Sequence, residues 1–237
     1  MKWNLSSDYL QDLLVRMAHH STAIEGNSLT LGETRTILLD RKIPKPMDER
    51  EFYEVRNYLD LITLLENKAD NPIEIKDIQK INEILLRDID ARGGVFKQIP
   101  NIIIGADFIP VPPYMVPEKL KEWCDNLQWR LENAKNNHDK VTAIMEQHLW
   151  FEQIHPFPDG NGRTGRALMI WSCLGNQITP IVIEKEQREE YIRALNDRNV
   201  KDLVKLAEQI QVKEEERMLI FEQSEKLTEK EISDLEN

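Results

Sequence analysis

His155-Pro156-Phe157-Pro158-Asp159-Gly160-Asn161-Gly162-Arg163-Thr164-Gly165-Arg166 separates two stretches of helical patterning, Val141 to Ile154 and Asn161 to Leu174. Pro156 and Pro158 end the first helix, because proline lacks the N–H that a helix interior needs. Gly160 and Gly162 let the backbone approach a ligand closely. With the second helix starting near Asn161, its free N–H groups and positive dipole end point at the space beside His155, which favours bound phosphate. Arg163 and Arg166, three apart, are neighbours on one helical face and suited to distal phosphates. Asp159 is a hard oxygen donor of the kind Mg²⁺ takes. His155 alone in this stretch has an ordinary pKa near neutrality, so it is the candidate to accept a proton from an attacking hydroxyl. Phe157 is expected to turn inward and anchor the loop.

Outward from the loop, helix signals dominate. Leu10, Leu13, Leu14, Met17, Ala18 and Ile24 form one apolar face, stopped by Gly26-Asn27. Thr30 and Glu33 make a capping box, and Asp48 caps a helix carrying Phe52, Val55, Leu59, Ile62 and Leu65. Asn71-Pro72 breaks the chain before Ile75 to Leu85, and Pro117 opens a helix through Trp123 and Leu131. A shorter helix covers Gln187 to Leu195, and Lys201 onward reads as helix that becomes highly charged after Lys213. Between Arg92 and Pro113, glycines, prolines and the run Ile102 to Ile104 suit a short extended hairpin, here called the flap. Three segments are expected: N-terminal helices over 1–70, a core over 71–210 and a charged helical tail over 211–237.

The chain has 237 residues, enough for one substantial core, and a net charge of -11. An acidic surface repels phosphate backbones and anionic lipid, so neither nucleic acid nor a membrane is expected as partner. Cys124 and Cys173 have no metal-site spacing, no stretch is apolar enough to span a bilayer, and a cytoplasmic location is expected.

The loop fits H-x-F-x-[DE]-G-N-G-R-x-x-R at all eight specified positions, with a chance probability on the order of 10⁻¹¹ at a given start. The chain therefore resembles the Fic family, with looser similarity over roughly Ile73 to Ile210. The resemblance implies an all-α fold, a Fic-type helical bundle with a short β-hairpin flap, and transfer of AMP from ATP to a Ser, Thr or Tyr hydroxyl of a target protein. It implies roles as well: His155 as general base, Asp159 as Mg²⁺ ligand, Gly160, Asn161 and Gly162 as an anion nest, and Arg163 and Arg166 as the phosphate clamp. Ile103 and Ile104 in the flap correspond to residues that align the target by strand addition. Tyr191 and Asn199 match adenine-side positions, although this chain has Tyr191-Ile192 where many relatives have two consecutive tyrosines. A homodimer is also compatible with the resemblance.

Ser21-Thr22-Ala23-Ile24-Glu25-Gly26-Asn27 fits the inhibitory motif [ST]-x-x-x-E-[GN] of many Fic proteins. Glu25 falls at a helix C-terminus, where the dipole disfavours negative charge by about 0.3–1 kcal/mol, so a cation is expected beside it. Arg166 is the expected partner. His148 reads as a packing histidine, His19 and His20 as packing or solvent-facing, the tryptophans Trp123, Trp129, Trp150 and Trp171 as core, and Glu214-Glu215-Glu216 as a solvated face. Rival readings are γ-phosphate transfer, removal of AMP, another nucleotide donor, and a non-enzymatic helical interaction module. The intact Gly160-Asn161-Gly162 disfavours the first of these.

Overall fold

A computed structural model describes residues 5–102 and 108–235. Ten α-helices make up most of the described residues, with no strand among them. They are α1 (Ser7–Ile24), α2 (Leu31–Leu38), α3 (Glu49–Arg56), α4 (Tyr58–Lys68), α5 (Ile75–Leu85), α6 (Val116–Glu132), α7 (Asn137–Ile154), α8 (Asn161–Gly175), α9 (Arg188–Asn196) and α10 (Val200–Leu235). The all-α architecture matches expectation. The tip of the expected hairpin, including Ile103 and Ile104, lies outside the described residues, and its described flanks are irregular backbone.

Local chemistry explains most helix ends. Ser6 accepts the Tyr9 N–H at the start of α1, Thr30 and Glu33 form their capping box, and Asp48 accepts from Arg50 and Glu51. One expected helix is two: α3 and α4 part at Asn57, whose fully buried amide donates to the carbonyls of Leu85 and Arg87. That partner lies in another part of the chain, so no local signal announces the break.

Helix α7 lies at the centre, packed on α6, α8 and α10. A single apolar cluster runs from Tyr9 and Leu13 of α1 through α4 and α5 to Trp123, Phe157 and Trp171. A second joins Ile24 to Met145, Tyr191 and Leu203. The N-terminal helices thus share the cores that hold the motif loop. No described helix is long and apolar enough to cross a membrane.

Two sequence expectations are corrected. Trp129 is 64% exposed: two residues beyond the buried Leu127, it is turned about 200° round α6, away from the core. Glu214 is buried rather than solvated, accepting from Tyr9 Oη at 2.5 Å and from Arg16 Nη1 and Nη2 at 2.8 and 2.5 Å. Glu215 and Glu216 remain exposed. A buried carboxylate needs a cation and further donors, and α1 supplies both.

Candidate active site

Helix α7 terminates as His155 enters the left-handed region (φ 48°, ψ 60°), and Phe157, fully buried, pins the loop against Phe96 with ring centroids 5.5 Å apart. Gly160 (φ 75°) then turns the chain into α8. A β-carbon at 160 would be strained by that φ and would meet Asn82 Nδ2 at 3.0 Å. Asn161 braces the loop from inside: its Oδ1 accepts the Phe157 N–H (2.9 Å) and its Nδ2 donates to the Phe157 carbonyl (2.8 Å). Its side chain is thus committed to the fold, and the first-turn N–H groups of α8 are the donors that could meet an anion.

Both arginines are buried and lie on the α8 face that meets α1 and α3. Arg163 Nη1 is 3.3 Å from Glu54 and Nη2 is 3.6 Å from Asp159. Its Nε and Nη1 have no hydrogen-bond partner among the described residues, so an interior cation retains donors for a ligand. Arg166 is occupied: Nε donates to Ser21 Oγ (2.9 Å), and Nη2 to the Ser21 carbonyl (2.9 Å) and Glu25 Oε1 (2.6 Å). The surrounding protein disfavours charge on Glu25, but Arg166, helped by Arg163, outweighs this and holds the carboxyl below its ordinary range. The expected pair is therefore formed.

His155 is half-buried, and its Nδ1 has no partner among the described residues. Burial and then the charge of Lys97 push its pKa down to about 4, so the imidazole is neutral and proton-accepting at pH 7. Asp159 also lies below its ordinary range. Desolvation opposes this and is overcome by Arg163, by the Arg50 hydrogen bond (Nη2 to Oδ2, 2.8 Å) and by the Gly160 N–H (2.6 Å). Among the described residues no three His, Cys, Asp or Glu side chains gather into a metal cage. A single ionised carboxylate at the mouth of an anion site fits Mg²⁺, which usually takes one or two carboxylates and completes its shell with phosphate and water.

Tyr191 is 1% exposed, and its hydroxyl pairs with His148 Nε2 at 2.7 Å. In this conformation its ring offers no face to a nucleobase. The same contact makes His148 a packing histidine, pushed down to about 3 by burial and then by Arg166. Asn199 caps α10, accepting from the Asp202 N–H and donating to the Asp202 carboxylate. His19 and His20 are both buried, and His20 Nδ1 accepts the Lys185 N–H.

Several residues around the loop escaped sequence reasoning. Asn82 of α5 donates to the Asp159 carbonyl (3.0 Å) and Thr164 Oγ1 (3.2 Å) while accepting the Gly94 N–H (2.9 Å). A polar residue on the apolar Ile78-Ile81-Leu85 face was the available signal. Arg50 and Glu54 bring α3 to the loop, and Lys97 and Asn101 back it from the flap side. Glu152, one turn before His155, is pushed up to about 7 by burial, against Arg166 and with Glu25.

Comparison with known proteins agrees with this geometry. Residues 72–173 match the Fic/DOC family. The chain is 31% identical over 189 residues to protein adenylyltransferase fic-1 of Caenorhabditis elegans, covering 78% of this chain and 36% of that protein. It is likewise 31% identical over 193 residues to protein adenylyltransferase Fic of Drosophila melanogaster, covering 78% and 37%. The chain thus spans little more than a third of the length of these curated relatives. Among solved structures, Fic-1 of C. elegans superposes with a TM-score of 0.76 at 26% identity, over 90% of this chain and 66% of that one. A Fic-domain signaling protein of Bacteroides thetaiotaomicron gives 0.78 over 89% of both chains, at 19% identity, a likeness of fold. With the loop signature, the helical architecture and the relatives in agreement, this chain belongs to the Fic/DOC family.

Proposed function

We propose that this chain is a protein adenylyltransferase that moves AMP from ATP onto a Ser, Thr or Tyr hydroxyl of a protein target, itself included, and that Glu25 restrains it by occupying Arg166. One observation carries the reading: the loop from His155 opens α8, and in its first two turns the buried Arg163 and Arg166 lie beside free first-turn N–H groups, an arrangement suited to an anionic ligand.

In this mechanism His155 takes the proton of the target hydroxyl as its oxygen attacks the α-phosphorus. The new P–O bond forms while the bond to the pyrophosphate leaving group breaks. The first-turn N–H groups of α8, at Asn161 to Arg163, take the charge that develops on the equatorial oxygens. Arg163 and, once Glu25 has moved, Arg166 hold the distal phosphates. Asp159 would hold Mg²⁺ after Arg50 swings aside, and the bound metal would neutralise charge on the leaving group. The flap around Ile103 and Ile104 would align the target segment. Tyr191 supports Arg166 from the interior in the restrained form, and Asn199 would border the base.

Intact-mass analysis of the Glu25→Gly chain incubated with Mg²⁺-ATP and cell lysate tests the reading. Addition of AMP to the chain or to a lysate protein, abolished by a further His155→Ala change, is the expected outcome. Addition of phosphate, loss of AMP from a modified protein, or label that survives His155→Ala would each overturn it.

A further inference from the structure

Where α7 ends, its last carbonyls lose their intrahelical donors. The chain continues through His155 in a left-handed conformation that a residue with a β-carbon adopts only at a cost. Four consecutive carbonyls of this stretch are nonetheless satisfied from just two residues. Lys97 Nζ donates to Ile154 (3.2 Å), and the Lys97 N–H donates to Pro156 (2.9 Å). Asn101 Nδ2 donates to both His155 (3.3 Å) and Phe157 (3.0 Å). Lys97 Nζ also donates to Asn101 Oδ1 (2.7 Å), which ties the two side chains into one bracket. Lys97 is only 2% exposed, so the ammonium is held inside the protein with no carboxylate among these direct partners.

We propose that Lys97 and Asn101 are positioning residues for His155: the bracket they form fixes the backbone that carries the imidazole, with the buried Lys97 ammonium as its charged centre. The proposal rests on reading His155 as the general base. A cation at this end of α7 also complements the negative end of the helix dipole, which a neutral donor does less well. The charged groups facing His155 are Lys97 from the flap base, Glu25 from the end of α1 and Asp159 from the loop itself. The two carboxylates favour the imidazolium, and Lys97 opposes them. Burial pushes Lys97 itself down to about 8. Above that pH the ammonium becomes an amine, its hydrogen bonds to Ile154 and Asn101 lose their charge assistance while His155 stays neutral, and transfer is expected to fall. Arginine at 97 would not titrate in this range.

The test uses the full chain in the Glu25→Gly background, with Lys97→Gln, Lys97→Arg and Asn101→Ala. Initial rates at saturating Mg²⁺-ATP are followed from about pH 6.5 to about pH 9.5, ATP affinity is measured by calorimetry, and the His155 imidazole is titrated by NMR. Lys97→Gln and Asn101→Ala are expected to lower the rate about tenfold or more while ATP affinity stays within about twofold. Lys97→Gln also raises the titration midpoint of His155. Lys97→Arg restores the rate and moves the alkaline fall upward by about one pH unit or more. The proposal is overturned by a Lys97→Gln rate within about twofold of the parent or by an unmoved His155 midpoint. An alkaline fall at the same pH in Lys97→Arg overturns it as well, and that soluble, charge-conserving variant decides if Lys97→Gln does not fold. Should the Glu25→Gly parent transfer no AMP, the adenylyltransferase reading fails, while the NMR titration still reports on the bracket.

Discussion

Gly162 lies directly beneath the Glu25 carboxylate: a β-carbon at 162 would fall 2.5 Å from Oε1 and 3.0 Å from Arg166 Nη1. The carboxylate therefore sits over the first turn of α8 as well as against Arg166, which under the proposed mechanism is the space left for a terminal phosphate.

Glu25→Gly should consequently tighten nucleotide binding. A charge-assisted hydrogen bond contributes about 1.5–3 kcal/mol, so affinity for a fluorescent ATP analogue is expected to rise by about 10- to 100-fold. Ser21→Ala removes only the neutral acceptor of Arg166 Nε, and its gain should stay near fivefold. Equal affinities in parent and Glu25→Gly would remove the competition from the mechanism.

Under the proposed mechanism Arg50 competes with Mg²⁺ for Asp159. The pair is 54% and 37% exposed, so it contributes at most about 1 kcal/mol. Arg50→Ala should lower the Mg²⁺ concentration needed for half-maximal nucleotide binding by a few-fold, about fivefold at most. Titration of Mg²⁺ at fixed nucleotide measures it, and an unchanged midpoint would show that Arg50 leaves the carboxylate at no cost.

Glu214→Ala should destabilise the chain by about 1–3 kcal/mol, because it removes the acceptor of the Tyr9 hydroxyl and of both terminal nitrogens of the buried Arg16, while Asp12 keeps Arg16 Nε. Urea unfolding gives the number. A loss below about 0.5 kcal/mol would mean that water replaces the lost acceptor and that the Asp12 pair suffices for Arg16.

Stability should rise with pH across the mildly acidic range. Burial holds His148 near 3, and burial holds His20 and His155 near 4, so they stay neutral in the folded chain while the unfolded chain protonates them below 6.5. Glu152 acts the other way: its folded pKa is raised from 4.5 to about 7, so the native carboxyl keeps a proton that the unfolded one releases. Between about pH 4.5 and 6.5 the three histidines outnumber the one carboxyl, the unfolded state binds more protons, and stability climbs with pH. Urea midpoints at the two ends of that window check the sign, and a higher midpoint at the acidic end would contradict it.

The helices and the loop were legible in the sequence because their signals are local. Thr30 with Glu33, Asp48 and Pro117 mark helix starts within a few residues of themselves, and the loop's chemistry is contiguous. What escaped depends on partners far apart in the chain. Lys97 meets Ile154 across 57 positions, Asn82 meets Asp159 across 77, and Arg16 meets Glu214 across 198. No spacing rule links such pairs. Glu214 in particular sits among exposed glutamates, and only α1 packing beside it distinguishes it from its neighbours.

That contact has a further consequence for how α1 behaves. Tyr9 and Arg16 moor the first half of the helix to α10, whereas beyond His20 the polar attachments include those of Ser21 and Glu25 to Arg166 and of Arg188 Nε to the Ile24 carbonyl. Under the proposed restraint, release of the arginine therefore needs the final turn to unwind, drawing Ile24 from the second core and from Arg188, with the rest of α1 left docked. An activating signal would act on one helical turn, a few hydrogen bonds and one buried isoleucine, rather than on a whole packed element.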